Sequence, residues 1–231
     1  MFLKIGHRGA AGHEPENTLR SFQKAIDLGM DMIELDVHVC KSREVVVIHD
    51  ATINRTTNGK GTVSGKSLQE LQELNAGKRE KIPTLVEVLN LVQRKVKINI
   101  ELKGKHTAEP VAKIINASVR QKWQYDDFLV SSFNYQELQY FHVLQPDVPI
   151  GILVKLGVSQ KKEIDQALIM ALKLHAYSLN LPFQYVTPRL VEQVHQLGFK
   201  VLVWTVNKTK AIEKVKNLNA DGIISDYPDR L

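Results

Sequence analysis

The sequence holds a single cysteine, Cys40, so no disulfide can form within the chain and a cross-linked secreted scaffold is excluded. Cys40 has no thiol-activating neighbours in the sequence and reads as a bystander. No apolar run approaches the roughly 18 residues that a membrane-crossing helix requires. Nor is there a Gly-x-Gly-x-x-Gly turn, since "GHRGAAG" at 6–12 has a different spacing, which argues against a doubly wound dinucleotide fold. Dense basic tracts interleaved with aromatics are missing too. The net charge is +6, but the cations are scattered over positions such as Arg94, Lys95, Lys97, Lys161, Lys162, Lys208, Lys210, Lys214 and Lys216. These read as solvated faces, so no nucleic-acid partner is expected, and the excess charge suits a small anionic ligand instead. Met1 leads directly into a strand-like run without the basic and long apolar regions of a secretion leader, so the expectation is a cytoplasmic protein without stable membrane insertion. Asn207-Lys208-Thr209 matches a glycosylation sequon but reads as a helix start.

What the sequence does have is rhythm. Apolar runs at 2–5, 32–39, 97–102, 128–132, 149–154, 176–181, 199–206 and 221–225 read as buried parallel strands. Amphipathic stretches at 17–28, 84–92, 107–121, 134–145, 159–174, 187–197 and 207–218 read as helices between them. Pro188 in a first turn, Gly29 and Gly198 after helix ends, and Asn17, Asn134 and Asn207 as N-caps punctuate the pattern. Eight strands alternating with helices predict a (β/α)8 barrel over 1–231, in one domain, with its eighth helix missing or vestigial because little chain follows the eighth strand. One segment breaks the alternation. The run 44–49 (EVVVIH) follows the second strand after only four residues, too few for a parallel crossover, so it must return antiparallel with Val39 near Val45 and His49 opposite Leu35. Residues 50–82, rich in turn formers with one short helix at 67–74, then read as a small insertion on the barrel rim.

Barrel chemistry gathers at the C-terminal ends of the strands. There the sequence places His7 and Arg8 after the first strand, Glu34 and Asp36 on one face of the second, His49 on the returning hairpin, Glu101 and Lys103 on the third barrel strand, and Trp204 on the seventh. Three carboxylates converging in a low-dielectric mouth repel one another unless a cation sits among them. Oxygen ligands without cysteine favour Mg²⁺, Ca²⁺ or Mn²⁺ over Zn²⁺. The imidazoles can act as further ligands or as a general acid–base pair, and Arg8 and Lys103 supply charge for a phosphate. Taken singly, each has a plainer reading: a salt-bridged Glu-x-Asp, a His-Asp turn, an ordinary Glu-Lys pair, a core Trp. Their coincidence at strand ends points to displacement at a phosphoryl group.

With "GHRGAAGHEPENTLRSF", "GMDMIELDVHV", "VVVIHD", "NRTTNGKGTV", "IPTLVEVLNL", "INIELKG", "VSSFN", "GFKVLVWTVN" and "ADGIISDYPD", the chain resembles the glycerophosphodiester phosphodiesterase family over nearly its whole length. The resemblance implies a distorted (β/α)8 barrel with a small cap between its second and third strands. It also implies hydrolysis of small anionic glycerophosphodiesters, such as glycerophosphocholine and glycerophosphoethanolamine, to sn-glycerol 3-phosphate and an alcohol. One divalent cation, Mg²⁺, Ca²⁺ or Mn²⁺, would be held by Glu34, Asp36 and Glu101. His7 and His49 would form the acid–base pair, Arg8 and Lys103 would bind phosphate, and Phe133 and Trp204 would wall the glycerol. Two departures stand out. The hairpin turn reads Cys40-Lys41-Ser42-Arg43 where family members usually have Thr-Lys-Asp-Gly, and "AGKREKIP" is shorter than usual, implying a trimmed cap and a more open mouth. In the opening loop, Gly9 and Gly12 are expected to let backbone approach the phosphate, Glu16 to stabilise the positive end of the first helix, and His13 and Glu14 to be solvated. Lysophospholipase D-like or phospholipase C-like cleavage of lipids, and a barrel that binds a phosphorylated ligand without catalysis, are the rival readings. The oligomeric state is not set by the sequence.

Overall fold

A computed structural model describes residues 2–155 and 157–231. Eight parallel strands close into a barrel: β1 (Leu3–Gly6), β2 (Met32–Val39), β4 (Lys97–Leu102), β5 (Phe128–Ser132), β6 (Ile150–Leu153), β7 (Ser178–Pro182), β8 (Lys200–Trp204) and β9 (Gly222–Ser225). Closure runs through β1, which pairs with β2 on one side and with β9 on the other, Ile5 opposite Met32 and Ile224 respectively. The ninth strand, β3 (Val45–Val47), lies antiparallel on β2 in the expected register, Val39 opposite Val45.

Alternation along each strand decides which residues build which core. On β2 and β4 the apolar set Ile33, Leu35, Val37, Ile98, Ile100 and Leu102 faces outward into the large cluster shared with the helices. The complementary set, Met32, Glu34, Asp36 and His38 with Asn99 and Glu101, faces the barrel axis. Around that axis a small apolar layer of Ile5, Met32, Leu129, Leu202 and Ile224 plugs the interior. Polar pairs share the interior: the Ser131 hydroxyl donates to Asn99 Oδ1 at 2.9 Å and the Ser178 hydroxyl to Asn180 Oδ1 at 2.7 Å.

The helices are α1 (Leu19–Asp27), α2 (Leu68–Gln72), α3 (Leu85–Val92), α4 (Ala108–Val119), α5 (Tyr135–Leu144), α6 (Gln160–Lys173), α7 (Pro188–Gln196) and α8 (Thr209–Asn217). Capping boxes at Ser67/Glu70 and Thr84/Glu87 start α2 and α3, and Asn134 caps α5 as its sequence suggests. Two expected caps are different. Thr18, not Asn17, accepts from the Ser21 N–H to start α1, and Lys208 occupies the cap position of α8 without a side-chain bond. The freed asparagines serve elsewhere, as described below. After β9 the described chain makes only a 3₁₀ turn, Pro228–Arg230, where a full barrel would place its eighth helix.

Residues 50–82 form a lobe beside the mouth with its own apolar cluster of Ile53, Val63, Leu71, Ala76 and Ile82 on Val46 and Ile48. Among the described residues, no helix is long and apolar enough to cross a membrane.

Candidate active site

The inward faces of β2 and β4 bring Glu34, Asp36 and Glu101 together at the mouth, with one oxygen from each within 4.8 Å of the others. Parallel pairing accounts for this, since Asp36 lies directly opposite Glu101 in the β2–β4 register. All three are buried. Glu34 accepts from the Arg8 N–H at 2.9 Å, and Asp36 accepts from Asn17 Nδ2 at 2.8 Å. Asn17 holds a left-handed backbone, φ 58°, and also takes the Asp36 N–H on its Oδ1 at 3.3 Å. Asn17 thus holds the Asp36 carboxylate in place, although in sequence it looks like a helix cap.

Charge is poorly compensated inside this cluster. Burial and then the neighbouring Asp36 push Glu34 up from 4.5 to about 7, and the same two causes push Glu101 to about 8. Lys103 Nζ stands 3.0 Å from Glu101 Oε1 and 3.9 Å from Asp36 Oδ1, and Arg8 Nε stands 3.3 Å from Asp36 Oδ2. Yet Asp36 Oδ1 and Glu101 Oε1 are buried without a properly directed hydrogen bond. Two buried carboxylate oxygens without a directed hydrogen bond, in a three-acid cradle, match the donor set of a hard divalent cation. The residues present therefore fit one.

Two histidines line the same cavity, which has a volume of about 90 Å³, and each is paired with a carboxylate. His7 Nδ1 lies 2.6 Å from Asp226 Oδ1, and His49 Nδ1 lies 2.6 Å from Asp50 Oδ1. Both bonds engage Nδ1, which leaves Nε2 of each ring for chemistry. Their environments differ. Burial favours neutral His7, but the Asp226 bond and the Glu34 charge outweigh it and raise the ring above its ordinary value. For His49 burial prevails over Asp36 and Asp50 and lowers it.

Asp226 is held in turn by Asn207, whose Nδ2 donates to Asp226 Oδ2 at 2.6 Å while its Oδ1 accepts from the Asp226 N–H at 2.9 Å. Asn207 thus anchors a histidine partner and does not cap α8. On the other side, Arg55 from the rim lobe clamps Glu16 with both terminal nitrogens, at 2.7 and 2.8 Å, and Asp50 with its Nε at 2.8 Å. Glu16 also accepts from Arg8 Nη1 at 2.8 Å. A continuous chain, His49–Asp50–Arg55–Glu16–Arg8–Asp36, therefore ties the lobe to the mouth. Glu16 is a link in that chain and not a helix-dipole residue, because the first turn of α1 carries no acid.

The rest of the opening loop also departs from its sequence reading. Gly9, at φ 85°, packs against α1: a Cβ there would meet the Ser21 backbone and hydroxyl at 2.5 Å. A Cβ on Gly12 would strike the Tyr227 ring. Both glycines serve packing. His13 pairs with Asp229, and Glu14 with Arg20 and Lys78, so neither is free in solvent. Gly9→Ala combines an unfavourable φ with this clash and is expected to cost about 1–3 kcal/mol, read as a lowered melting temperature.

Opposite the carboxylates the cavity wall is apolar. Phe133 and Trp204 meet edge to face at 5.4 Å, Lys103 Nζ sits 5.5 Å from the Phe133 ring centroid, and Trp204 donates its indole N–H to Asn180 O.

A closed β/α barrel with a cation-flanked acidic mouth of this kind is built for chemistry on a phosphate ester. The profile of the glycerophosphoryl diester phosphodiesterase family matches residues 7–230, and the chain belongs to that family of phosphoric diester hydrolases. A glycerophosphodiester phosphodiesterase of Caldanaerobacter subterraneus is 38% identical over 240 residues, covering 99% of this chain and 96% of that protein. A phosphodiesterase of Oleispira antarctica, solved with its product sn-glycerol-3-phosphate, superposes with a TM-score of 0.85 at 30% identity, covering 98% of this chain and 93% of that one. A human lysophospholipase D is 27% identical over 266 residues, covering 98% of this chain and 84% of that protein.

Proposed function

We propose that this chain carries out metal-dependent hydrolysis of glycerophosphodiesters, including glycerophosphocholine and glycerophosphoethanolamine, to sn-glycerol 3-phosphate and the free alcohol, in the cytoplasm. The convergence of a buried three-carboxylate cradle with two carboxylate-paired histidines in one cavity carries the reading. Glu34, Asp36 and Glu101 hold a divalent cation, Mg²⁺, Ca²⁺ or Mn²⁺, which when bound supplies positive charge to a non-bridging phosphate oxygen.

The protein's own groups do the rest. Arg8 and Lys103 orient the phosphate and offset the charge that grows on its oxygens in the transition state. One of His7 and His49 removes the proton of the attacking hydroxyl, either from water or from the substrate's own glycerol, in which case the cyclic phosphate formed is opened by water in a second step to give glycerol 3-phosphate. The other donates a proton to the departing alcohol oxygen as its P–O bond breaks. Asp226 and Asp50 fix the two rings so that each presents Nε2. Phe133 and Trp204 exclude water from the glycerol side.

Release of glycerol 3-phosphate from a panel of head groups, with Mg²⁺, Mn²⁺ or Ca²⁺ added and with EDTA as control, tests the proposal. Metal-supported release that EDTA abolishes is expected. No release with any of the three metals would leave a barrel that merely binds a phosphorylated ligand. The human relative motivates a second arm with lysophosphatidylcholine, where turnover above that of glycerophosphocholine would move the reading to lipid substrates.

A further inference from the structure

Directly beside the catalytic cavity lies a second and much larger hollow of about 690 Å³, and Lys103 lines both. Its walls come from the end of β2, the β2–β3 turn, the loop that follows β4, and Ala51 and Ser64 of the rim lobe. The lining holds Lys41, Arg43, Lys103, Lys105, His38 and His106, and among its described residues there is no carboxylate. Lys41, Arg43, Lys105 and His106 are exposed. Lys41, Arg43 and Lys105 make no ion pair among the described residues, whereas Lys103 reaches Glu101 at 3.0 Å. The acids close by are already engaged: Glu70 accepts from the Ser67 N–H and hydroxyl, and Glu137 from the His106 and Ala108 N–H groups. Uncompensated cations on a concave wall focus a positive field into the hollow.

Size separates the roles of the two hollows. The catalytic cavity, at about 90 Å³, is much the smaller of the two. Its apolar wall of Phe133 and Trp204 suits the glycerol half. Lys103 lines both hollows, so an alcohol half directed past it meets the basic one.

We infer that the hollow lined by Lys41, Arg43, Lys103 and Lys105 is the alcohol subsite, and that it selects glycerophosphodiesters whose alcohol carries a further phosphate over those with a cationic or neutral head group. This rests on the hydrolytic reading above and names its substrate class. The reaction is unchanged in balance: water and the phosphorylated diester give glycerol 3-phosphate and a phosphorylated alcohol. One P–O bond forms to the incoming oxygen, one breaks to the alcohol, and a proton passes to the departing oxygen. A trimethylammonium head would sit among like charges and be disfavoured.

The test compares three substrates at low and at physiological ionic strength: glycerophosphocholine, glycerophosphoglycerol, and glycerophosphoglycerol bearing a terminal phosphate on its distal glycerol. The wild-type protein is expected to favour the phosphorylated diester over glycerophosphocholine by about tenfold in kcat/KM, mainly through KM, with salt eroding the margin. The triple variant Lys41→Gln, Arg43→Gln, Lys105→Gln loses about 5–10-fold on the phosphorylated diester and, with the repulsion relieved, gains about two- to threefold on glycerophosphocholine. Should the triple variant misfold, Arg43→Gln and Lys105→Gln singly decide, each with about a two- to threefold rise in KM for that substrate alone. Equal kcat/KM for all three substrates in the wild type, or a preference that survives neutralisation, overturns the inference while leaving the hydrolytic reading intact. If none of the three diesters is cleaved, the hydrolytic reading fails and this inference fails with it.

Discussion

His49→Ala is expected to lower kcat for glycerophosphodiester hydrolysis by about 10²–10⁴-fold, or about 2.7–5.4 kcal/mol of transition-state stabilisation, and His7→Ala by a similar factor. The two rings line one cavity, and each is locked through Nδ1 to its own carboxylate, so neither can stand in for the other. Neither ring belongs to the acidic cradle, and cation binding, followed by titration calorimetry, should survive in both variants. The paired Asp226→Asn variant separates positioning from chemistry. It keeps a hydrogen-bonding group beside His7 but removes the charge that favours its protonated form, and should shift the acid or base limb of the kcat profile more than it changes KM. Near-wild-type turnover in His7→Ala or His49→Ala would remove that histidine from the mechanism.

Removing the cation should make the protein less stable as pH rises, which is opposite to the usual behaviour of carboxylates. Glu34 and Glu101 are pushed up to about 7 and about 8 in the folded state against 4.5 in the unfolded chain. The folded protein then binds more protons than the unfolded one across that interval, so stability falls with increasing pH. Their favourable contribution is complete below about pH 4.5 and is lost as pH climbs through about 8. In EDTA, melting temperatures should decline over this window, and saturating divalent cation should flatten the decline, adding about 2.7 kcal/mol at a hundredfold excess over its Kd. Glu101→Gln should raise the EDTA melting temperature at pH 8, by about 2–4 °C per kcal/mol of repulsion relieved, while abolishing the gain from cation. A flat EDTA profile from pH 5 to 8.5 would show that the cradle is not strained by charge.

The barrel was legible because its signal is local and repeated. A strand buried on both faces reads as a short apolar run, and the four-residue spacer before EVVVIH permits only an antiparallel return. The carboxylates could be located for a related reason: Glu34, Asp36 and Glu101 alternate with outward-facing Ile, Leu and Val, so the strand pleat fixes their direction. What remained hidden depends on contacts between distant segments. Asp226 meets His7 across 219 residues of sequence, and its own context, "SDYPD", looks like a turn. Arg55 lies in a polar run whose turn residues suggest only a loop, and its task appears once the lobe folds over Glu16 and Asp50. Asn17 and Asn207 precede helices and satisfy every local criterion of a cap. Tertiary demand drew both away, and Thr18 was available to cap α1 in place of Asn17.

The closing seam has a consequence for how the enzyme is acquired. Leu3 to Gly6 pair with Gly222 to Ser225, so this ladder joins segments more than 200 residues apart in sequence. Such pairings carry a heavy loop-closure penalty and come late in folding. His7 follows one lip of that seam and Asp226 the other. A barrel with this seam open cannot orient His7 through Asp226 and exposes two bare strand margins, so closing the ladder completes the pair and covers those margins together.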